Sequence, residues 1–568
     1  MRMTNKIMRN NSAYNINQNK ILQDKLTNQM TNQSKIVRPS DDPVVAIRAL
    51  RLRSNVSAVT QYNEKNAEDA KQWLTLTADA MATVDDVLND LYDQCTGSAN
   101  KFNTSDDLRI HLTQMKKVTA EFYSCANVDY AGRYVFSGYR TDLPVTFTKE
   151  DEKELKEHPV SYNIYENFGY EDISRISYTN YDTLRAELTG NNSVTGAQNP
   201  SYPAGVNATN SYEQTVKNDT LYRFRISYNN LDSLESGSDL TVKLPGMPED
   251  EYIKISSAGG TVQAAIVDAA GNAIASPTTT PPQFAEFSDQ EEAYNAIANG
   301  VGTPPVDIAF IPSTGELVFS RDFYEENFNE AAFGGKDSFQ INYNKSSWQS
   351  DDINPVHYFK CIETKTISAP GVNPPETRVT AYNTQRDEGR DQDIYYDVGY
   401  NQQIQVNTRA DEIFTHNVQR DMDDFDHYLK QWQEIERVQK DLEEKLKDWP
   451  TDSPEYKDLS ERIEGAKKAE VYIRENIHNK FENQITKYQK YMDDSRVAMT
   501  ENATRGKRLE LVKTRLTNQQ ATFKELQQDN EGIDITEVAV ELTSSELTYN
   551  AALMATGKIM QTNLMNYI

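Results

Sequence analysis

The chain has little of what catalysis or metal binding requires. Its 568 residues hold three cysteines, Cys95, Cys125 and Cys361, too few and too scattered for a disulfide framework or a zinc site. Cys95 and Cys125 fall on apolar helical stripes, where cysteine serves as a small buried hydrophobe. The six histidines, His111, His158, His357, His416, His427 and His478, stand in unrelated contexts. His427 shares a helical face with Asp423 or Asp424, which reads as a surface ion pair. No Gly-x-Ser-x-Gly, complete phosphate loop, His-Glu-x-x-His or Gly-x-Gly-x-x-Gly occurs. Residues 334–338 look like half a phosphate loop, but the first glycine is missing and a strand follows, so they read as a turn. The acidic runs at 421–426 and 388–397 lack calcium-loop spacing and read as solvated faces. No catalytic, cofactor or metal residues are assigned, and an enzyme is disfavoured.

Long apolar runs are also missing. No window of 18 apolar residues is present, so nothing is expected to insert in a membrane, and residues 1–30 lack the unbroken apolar stretch of a secretory signal. Hydrophobic content is 37% and the net charge is −27, which points to an elongated, multidomain chain with much solvated surface. Residues 1–60 carry +7 and residues 531–568 carry −4, so the body beyond residue 60 holds −34 and would repel nucleic acid.

What is present is periodicity. Ala67, Ala70, Leu74, Thr77, Met81, Val84, Leu88, Leu91 and Cys95 recur at alternating spacings of three and four, the pattern of a long coiled-coil helix. Thr104 with Asp106 and Asp107 marks the start of a second helix, with Leu108, Leu112, Met115, Thr119 and Phe122 on its stripe. Upstream, Ser40 can cap a helix beginning near Pro43, with Asp41 and Asp42 in its first turn. Before it, Ile7, Tyr14 and Ile21 repeat every seven residues, followed by Leu22, Leu26 and Met30. Helical periodicity returns near 407, with one stripe from Phe425 to Trp449, a stop at Pro450, and a returning stripe from Leu459 to Leu526.

Between the helical ends the composition shifts. Residues 141–407 hold 16 of the 20 prolines and 17 of the 24 glycines. Short β-type runs appear there, the clearest a hairpin of 308–311 and 316–319 around Pro312-Ser313-Thr314-Gly315. The expected fold is therefore α+β and multidomain. A long helical coiled-coil or bundle rod is built from both termini, with one or two mostly β domains inserted in the middle and an extra helical hairpin near 425–485. The segments are 1–60, a terminal assembly helix; 61–140, half of the rod; 141–407, the β insert; 408–530, the other half; and 531–568, the second assembly helix.

Several motifs carry a resemblance. Met1-Arg2-Met3-Thr4, Arg38-Pro39-Ser40-Asp41-Asp42-Pro43, Gly132-Arg133-Tyr134-Val135-Phe136-Ser137-Gly138-Tyr139, Ile533-Asp534-Ile535-Thr536-Glu537-Val538, and the run from Tyr549 to Ile568 resemble the flagellin superfamily and, within it, the hook-filament junction family. The resemblance covers roughly 1–140 and 485–568. It implies an extracellular structural subunit of the bacterial flagellum, exported unfolded without a cleavable signal peptide, its ends disordered in the monomer and ordered on assembly. It implies as partners further copies of the chain in a ring, the other hook-associated junction protein, filament flagellin and an export chaperone, with no cofactor. The assembly interface is assigned to Ile7, Tyr14, Ile21, Leu22, Leu26, Ser40, Asp41, Asp42, Val538, Leu542, Leu547, Leu553, Ile559, Leu564 and Tyr567. The alternatives are a filament flagellin, or an adhesin or glycan binder displayed on a helical stalk.

Overall fold

Three-and-four spacing becomes helix in this chain, and alternation becomes sheet. In the computed structural model the described residues are 5–36, 38–40, 42–169, 172–180, 216–245, 247–248, 250–258, 261–268, 270–274, 281–300, 302, 304–328, 339–367, 376–384 and 392–561. The turn expected at 334–338 and residues 388–391 of the acidic run lie outside them. Seven long helices are described: α1 (Asn5–Asn32), α2 (Pro43–Thr60), α3 (Ala67–Ser98), α4 (Ser105–Ser124), α5 (Asn417–Leu446), α6 (Pro454–Glu531) and α7 (Ile535–Gln561). By contacts the chain divides into two units, one of residues 1–72, 395–406 and 504–568 and one of 73–394 and 407–503.

In the second unit, α3 and α5 each run antiparallel to α6, and α4 runs antiparallel to α5. On α3 and α6, the Asn502 amide donates to the Leu74 carbonyl at 2.9 Å, Arg496 meets Asp85 at 2.9 Å, and the Cys95 thiol lies against the Phe481 carbonyl. On α5 and α6, the rings of Phe425 and Phe481 stack at 4.1 Å and the Gln439 amide donates to Glu470. Helix α4 starts at a reciprocal capping box between Thr104 and Asp107 and lies against α5, with Ser105 donating to Glu436 and Lys116 paired with Asp426. The three thiols are free and buried, and burial pushes Cys95 and Cys361 up to about 12 and Cys125 up to about 11.

Beyond the short paired strands β1 (Asp129–Tyr130) and β2 (Arg133–Tyr134), the strands of this unit form two main sheets. The smaller joins β4 (Ile173–Asn180), β5 (Lys217–Arg225), β9 (Phe284–Glu286), β10 (Ile308–Ile311) and β11 (Glu316–Phe319) in the order β4-β5-β11-β10-β9. The larger joins β3 (Val160–Phe168), β6 (Leu240–Lys243), β7 (Tyr252–Ala258), β8 (Thr261–Val267), β12 (Phe339–Lys345), β13 (Lys360–Ile367) and β14 (Glu376–Tyr382) in the order β14-β13-β3-β12-β6-β7-β8. The hairpin read at 308–319 forms, pairing Ile308 with Phe319 and Ile311 with Glu316. Tyr222, Phe224, Phe310 and Leu317 of the smaller sheet share one core with Ile164, Ile255, Ile341 and Tyr343 of the larger. The opposite face of the smaller sheet buries Leu221, Ala309, Ile311 and Val318 against Ala293, Tyr294 and Ile297 of the short helix Gln290–Asn299. Both faces of β10 and β11 are therefore covered, which explains why β10 reads as an unbroken apolar run.

The acidic run at 421–426 is not the solvated face expected. Asp421 and Asp424 are buried where α5 meets β5. Alternation along β5 sends Tyr222 and Phe224 to the aromatic core and Arg223 and Arg225 to the other face. Arg223 grips Asp424 with two parallel bonds of 2.8 and 2.9 Å and also meets Glu316 at 3.0 Å. Arg225 meets Asp421 at 2.9 Å and Asp424 at 3.2 Å. From α6, Lys480 reaches Asp424, and Lys487 and Tyr491 reach Asp421. Burial alone would raise both carboxyls. Lys487, Arg225 and Lys480 outweigh it at Asp421, held at about 2, while Arg223, Arg225 and Lys480 hold Asp424 well below its ordinary range. His427 also differs from expectation: it is largely buried and meets Glu291 of the short helix at 3.4 Å, with its ring 6.0 Å from that of Tyr294 on the same helix.

Truncating Asp424 leaves two buried guanidinium groups short of charge. D424A should cost about 3–5 kcal/mol, read by denaturant unfolding followed through the four tryptophans, all of which lie in this unit. A loss under about 1 kcal/mol would contradict the network's role.

Glu166 supplies the pH dependence. It is buried, accepts from Tyr343 and from Ser227 at 2.8 Å, and burial pushes its carboxyl up to about 7. Between its ordinary pKa and about 7 the folded chain holds a proton that the unfolded chain has lost. Its contribution is thus complete below about 4.5 and disappears as the pH rises through about 7. E166Q should gain on the parent by roughly 3 kcal/mol between pH 4.5 and pH 8, measured as the change in unfolding free energy at both pH values.

Candidate assembly surface

The first unit is built where the two ends of the chain meet. The segment after α1 pairs back onto the end of α6: the Lys35 N–H donates to the Glu531 carbonyl at 2.7 Å, and Ser34 bridges Gly532. Arg53 of α2 grips the Glu531 carboxylate, with Nε at 2.8 and 3.0 Å from its two oxygens. The Asn530 amide donates to the Val45 carbonyl at 3.2 Å. A Cβ at Gly532 would stand 2.4 Å from the Gln528 carbonyl oxygen, so the turn from α6 into α7 has room for glycine alone.

Capping sets where the helices begin. Asp42, not Ser40, caps α2, its carboxylate accepting from the Val44 and Val45 N–H groups at 2.9 and 3.1 Å. Ser40 is exposed in the preceding turn, two positions too early once Pro43 occupies the first helical turn. Asp534 does the same for α7, accepting from Thr536 and Glu537, and these backbone bonds lower its pKa.

A π-helical turn, Gln61–Asn66, joins α2 to α3. Its Asn63 is buried and donates to Gln520 of α6, whose own amide donates to Thr60 and Glu64 at 2.9 and 2.8 Å. A hairpin of β15 (Tyr395–Gly399) and β16 (Gln402–Gln405) lies on this turn. Tyr396 donates to Asp69, Asn66 donates to the Asp397 carbonyl at 2.7 Å, and Arg515 donates to Gln402.

From the Ser34–Gly532 bridge, α1 and α7 lie against each other and run antiparallel. The covered stripe of α1 is Met8, Ser12, Ile16, Asn19, Gln23 and Leu26; that of α7 is Val538, Leu542, Ser545, Tyr549, Ala552 and Thr556. Half of those positions are polar or small, so the contact is thin. Leu26 and Val538 are its most buried apolar residues.

The heptad read on α1 occupies another face. Ile7, Tyr14, Ile21 and Leu22 are exposed, Tyr14 by 64%. On α7, Leu547 is exposed by 72% and Leu553 is also exposed, while Leu542 is half-buried. Of the assigned residues, then, Leu26, Val538 and Leu542 pack α1 on α7, Asp42 caps, and Ile7, Tyr14, Ile21, Leu22, Leu547 and Leu553 face outward. Asp41, Leu564, Tyr567 and the side chain of Ile559 lie outside the described residues.

The sequence reading missed an equally exposed row, Val44, Ile47 and Leu50 on α2, together with Ile535, Val540 and Met554 on α7. The three-residue spacing directly after the Asp42 cap was the available signal. Of 25 large apolar side chains exposed among the described residues, 17 belong to this unit, which is about a quarter of the chain. Such a concentration makes this unit the candidate assembly surface. Among the described residues no cluster of three His, Cys, Asp or Glu can hold a metal, and no helix is long and apolar enough to cross a membrane.

Residues 3–141 match the family model of the bacterial flagellin N-terminal helical region. The chain is 27% identical over 126 residues to flagellar hook-associated protein 3 of Escherichia coli (strain K12), covering 22% of this chain and 39% of that one. It is 27% identical over 119 residues to flagellar hook-associated protein 3 of Salmonella typhimurium, covering 21% and 37%. The chain thus spans about two fifths of the length of the curated relatives it matches. A crystal structure of Xanthomonas campestris FlgL aligns over 83% of this chain and 98% of its own at 11% identity, with a TM-score of 0.26. Residues 3–141 are therefore similar to a bacterial flagellin N-terminal helical region, and the chain shares sequence similarity with flagellar hook-associated protein 3.

The two faces of α1 should separate by mutation. L26A should speed amide hydrogen exchange in α1 and α7 about 30-fold, the effect of about 2 kcal/mol at the low end for a buried leucine. Y14A should change it by no more than about twofold. Equal loosening by both would mean that Tyr14 holds α1 in place within the free chain.

Proposed function

We propose that this chain is a non-enzymatic structural subunit of the bacterial flagellum, joining hook to filament by coaxial packing of its terminal helices. The observation that carries this reading is the outward apolar face of α1, α2 and α7, in a chain whose residues 3–141 match the flagellin N-terminal region and which is similar to a flagellar hook-associated protein. An apolar row left uncovered by its own chain is satisfied by a neighbour. At about 25 cal/mol per Å2, a few hundred Å2 per helix yields several kcal/mol per contact. Association costs of comparable size offset one such contact. A subunit gripped on several sides therefore binds where a pair in solution does not, and growth is seeded from an existing end.

The partners that follow are further copies of the chain in a ring, a second hook-associated junction protein, filament flagellin and an export chaperone, with the mature site outside the cell. The basic N-terminal and acidic C-terminal helices complement each other, and the net charge of −27 keeps free subunits apart. A filament flagellin would use similar terminal helices; the Arg38-Pro39-Ser40-Asp41-Asp42-Pro43 segment favours the junction reading.

Y14D and L547D place a charge on each outward row. Both purified monomers should keep the parent's circular dichroism and melting temperature. In cells lacking the chromosomal copy, electron microscopy should then show hooks without filaments and filament protein shed into the medium. Filaments of normal number and length with either variant would count against this packing. Filaments of normal number in cells lacking the chain altogether would remove the junction role.

A further inference from the structure

The larger sheet of the second unit carries a feature that assembly through the terminal helices leaves unused. Its inward residues, among them Ile164, Ile341, Val242 and Ile255, fill the core. The alternate residues form an outward face that is polar across five strands. One continuous rung runs Lys360–Tyr165–Asn342–Thr241–Lys254 across β13, β3, β12, β6 and β7. A second pairs Asn163 with Asn344, and a third runs Asn167–Gln340–Lys243. These rungs floor a cleft of about 930 Å3, with Asp268, Ala270, Gly271, Tyr358 and Phe359 on its walls. That volume lies within the range of small-ligand sites.

The chemistry of the floor selects a ligand class. Charge is cancelled locally: Lys254 is paired with Asp239 at 2.7 Å, and Asp268 is satisfied by the Ala270 and Asn272 N–H groups. Lys360 lies over the Tyr165 ring at 5.6 Å. Lys254 and Lys360 are balanced by Asp239 and Asp268, so the described lining offers no net positive charge for a phosphate and no apolar floor for an acyl chain.

What dominates is side-chain amide, each offering a donor and an acceptor side by side, the arrangement that matches vicinal hydroxyls. Asn163 donates to Asn344 at 2.7 Å, and Asn344 donates to Ser238 at 3.0 Å, so part of this lattice is already oriented. The Asn342 carbonyl oxygen, in the middle of the central rung, is buried and has no hydrogen-bond partner among the described residues. A buried acceptor left empty is costly and takes a donor when one is offered. Beside it, the half-open Tyr165 ring gives an apolar face with a polar edge.

We propose that this face binds a neutral oligosaccharide, with Asn342 accepting from a sugar hydroxyl, the amides of Asn163, Asn167 and Gln340 bracketing its neighbours, and Tyr165 stacking on a sugar ring. The site is separate from the outward helical rows.

The test is a glycan array probed with the full chain, followed by calorimetric titration of the strongest neutral glycan into the parent, N342L and Y165A. Neutral glycans should bind, and each variant should weaken binding at least tenfold with an unchanged melting temperature. Y165A, at an exposed position, serves if N342L fails to fold. Binding to no neutral glycan at millimolar concentration, or equal binding by the parent and Y165A, overturns the proposal. So does a preference for sialylated or sulfated glycans. Filament assembly by Y165A should equal that of the parent, so failure of this site and failure of the assembly reading give different results.

Discussion

The second unit depends on charges buried where β5 meets α5. Arg223 and Arg225 alternate with Tyr222 and Phe224, so one short strand faces an ionic lattice on one side and an aromatic core on the other. A slip of one residue would drive two guanidinium groups among phenyl rings and two rings among carboxylates. Buried ion pairs are weak sources of net stability, because desolvation offsets much of the attraction. Their effect here is on specificity: the register of β5, the pairing of Arg225 with Glu316 on β11, and the rotation of α5 about its axis are all set by the same few groups.

The two units solve opposite problems. In the second, charge is taken inside and neutralised, and the aromatic residues close a core between two sheets. In the first, large apolar side chains are left outside, and the helices are tied by polar contacts at their ends rather than by a deep apolar seam. A thin seam of Leu26, Val538 and small or polar residues can hold two helices together while leaving their other faces uncommitted.

Much of the helical content was legible because it is local. The stripe ending at Cys95, the Thr104 cap and the stop at Pro450 need only neighbouring residues, and α3, α4, α5 and α6 follow them closely. The hairpin at 308–319 was legible for the same reason. The order of the sheets was not: β3 pairs with β12 and β13, from distant parts of the chain, and no spacing encodes that. Asp421 and Asp424 were misread because a run of acids on a helix looks solvated until the arginines are known to face it. The outward rows of α1 and α7 were partly visible as Ile7, Tyr14, Ile21 and Leu547. The row on α2 was hidden because Val44, Ile47 and Leu50 resemble an ordinary core stripe, and only the three-dimensional arrangement shows that nothing in the described chain covers it.

The three cysteines matter in a different currency. Each is enclosed, and burial keeps its thiol protonated well above neutral pH, so none presents the thiolate that alkylating reagents attack. The native chain is thus expected to react slowly with maleimide dyes and spin labels. A single cysteine placed at an exposed position such as Tyr400 becomes the sole reporter without first stripping out the native ones. Conformation and neighbour distances can then be followed in the otherwise unaltered protein.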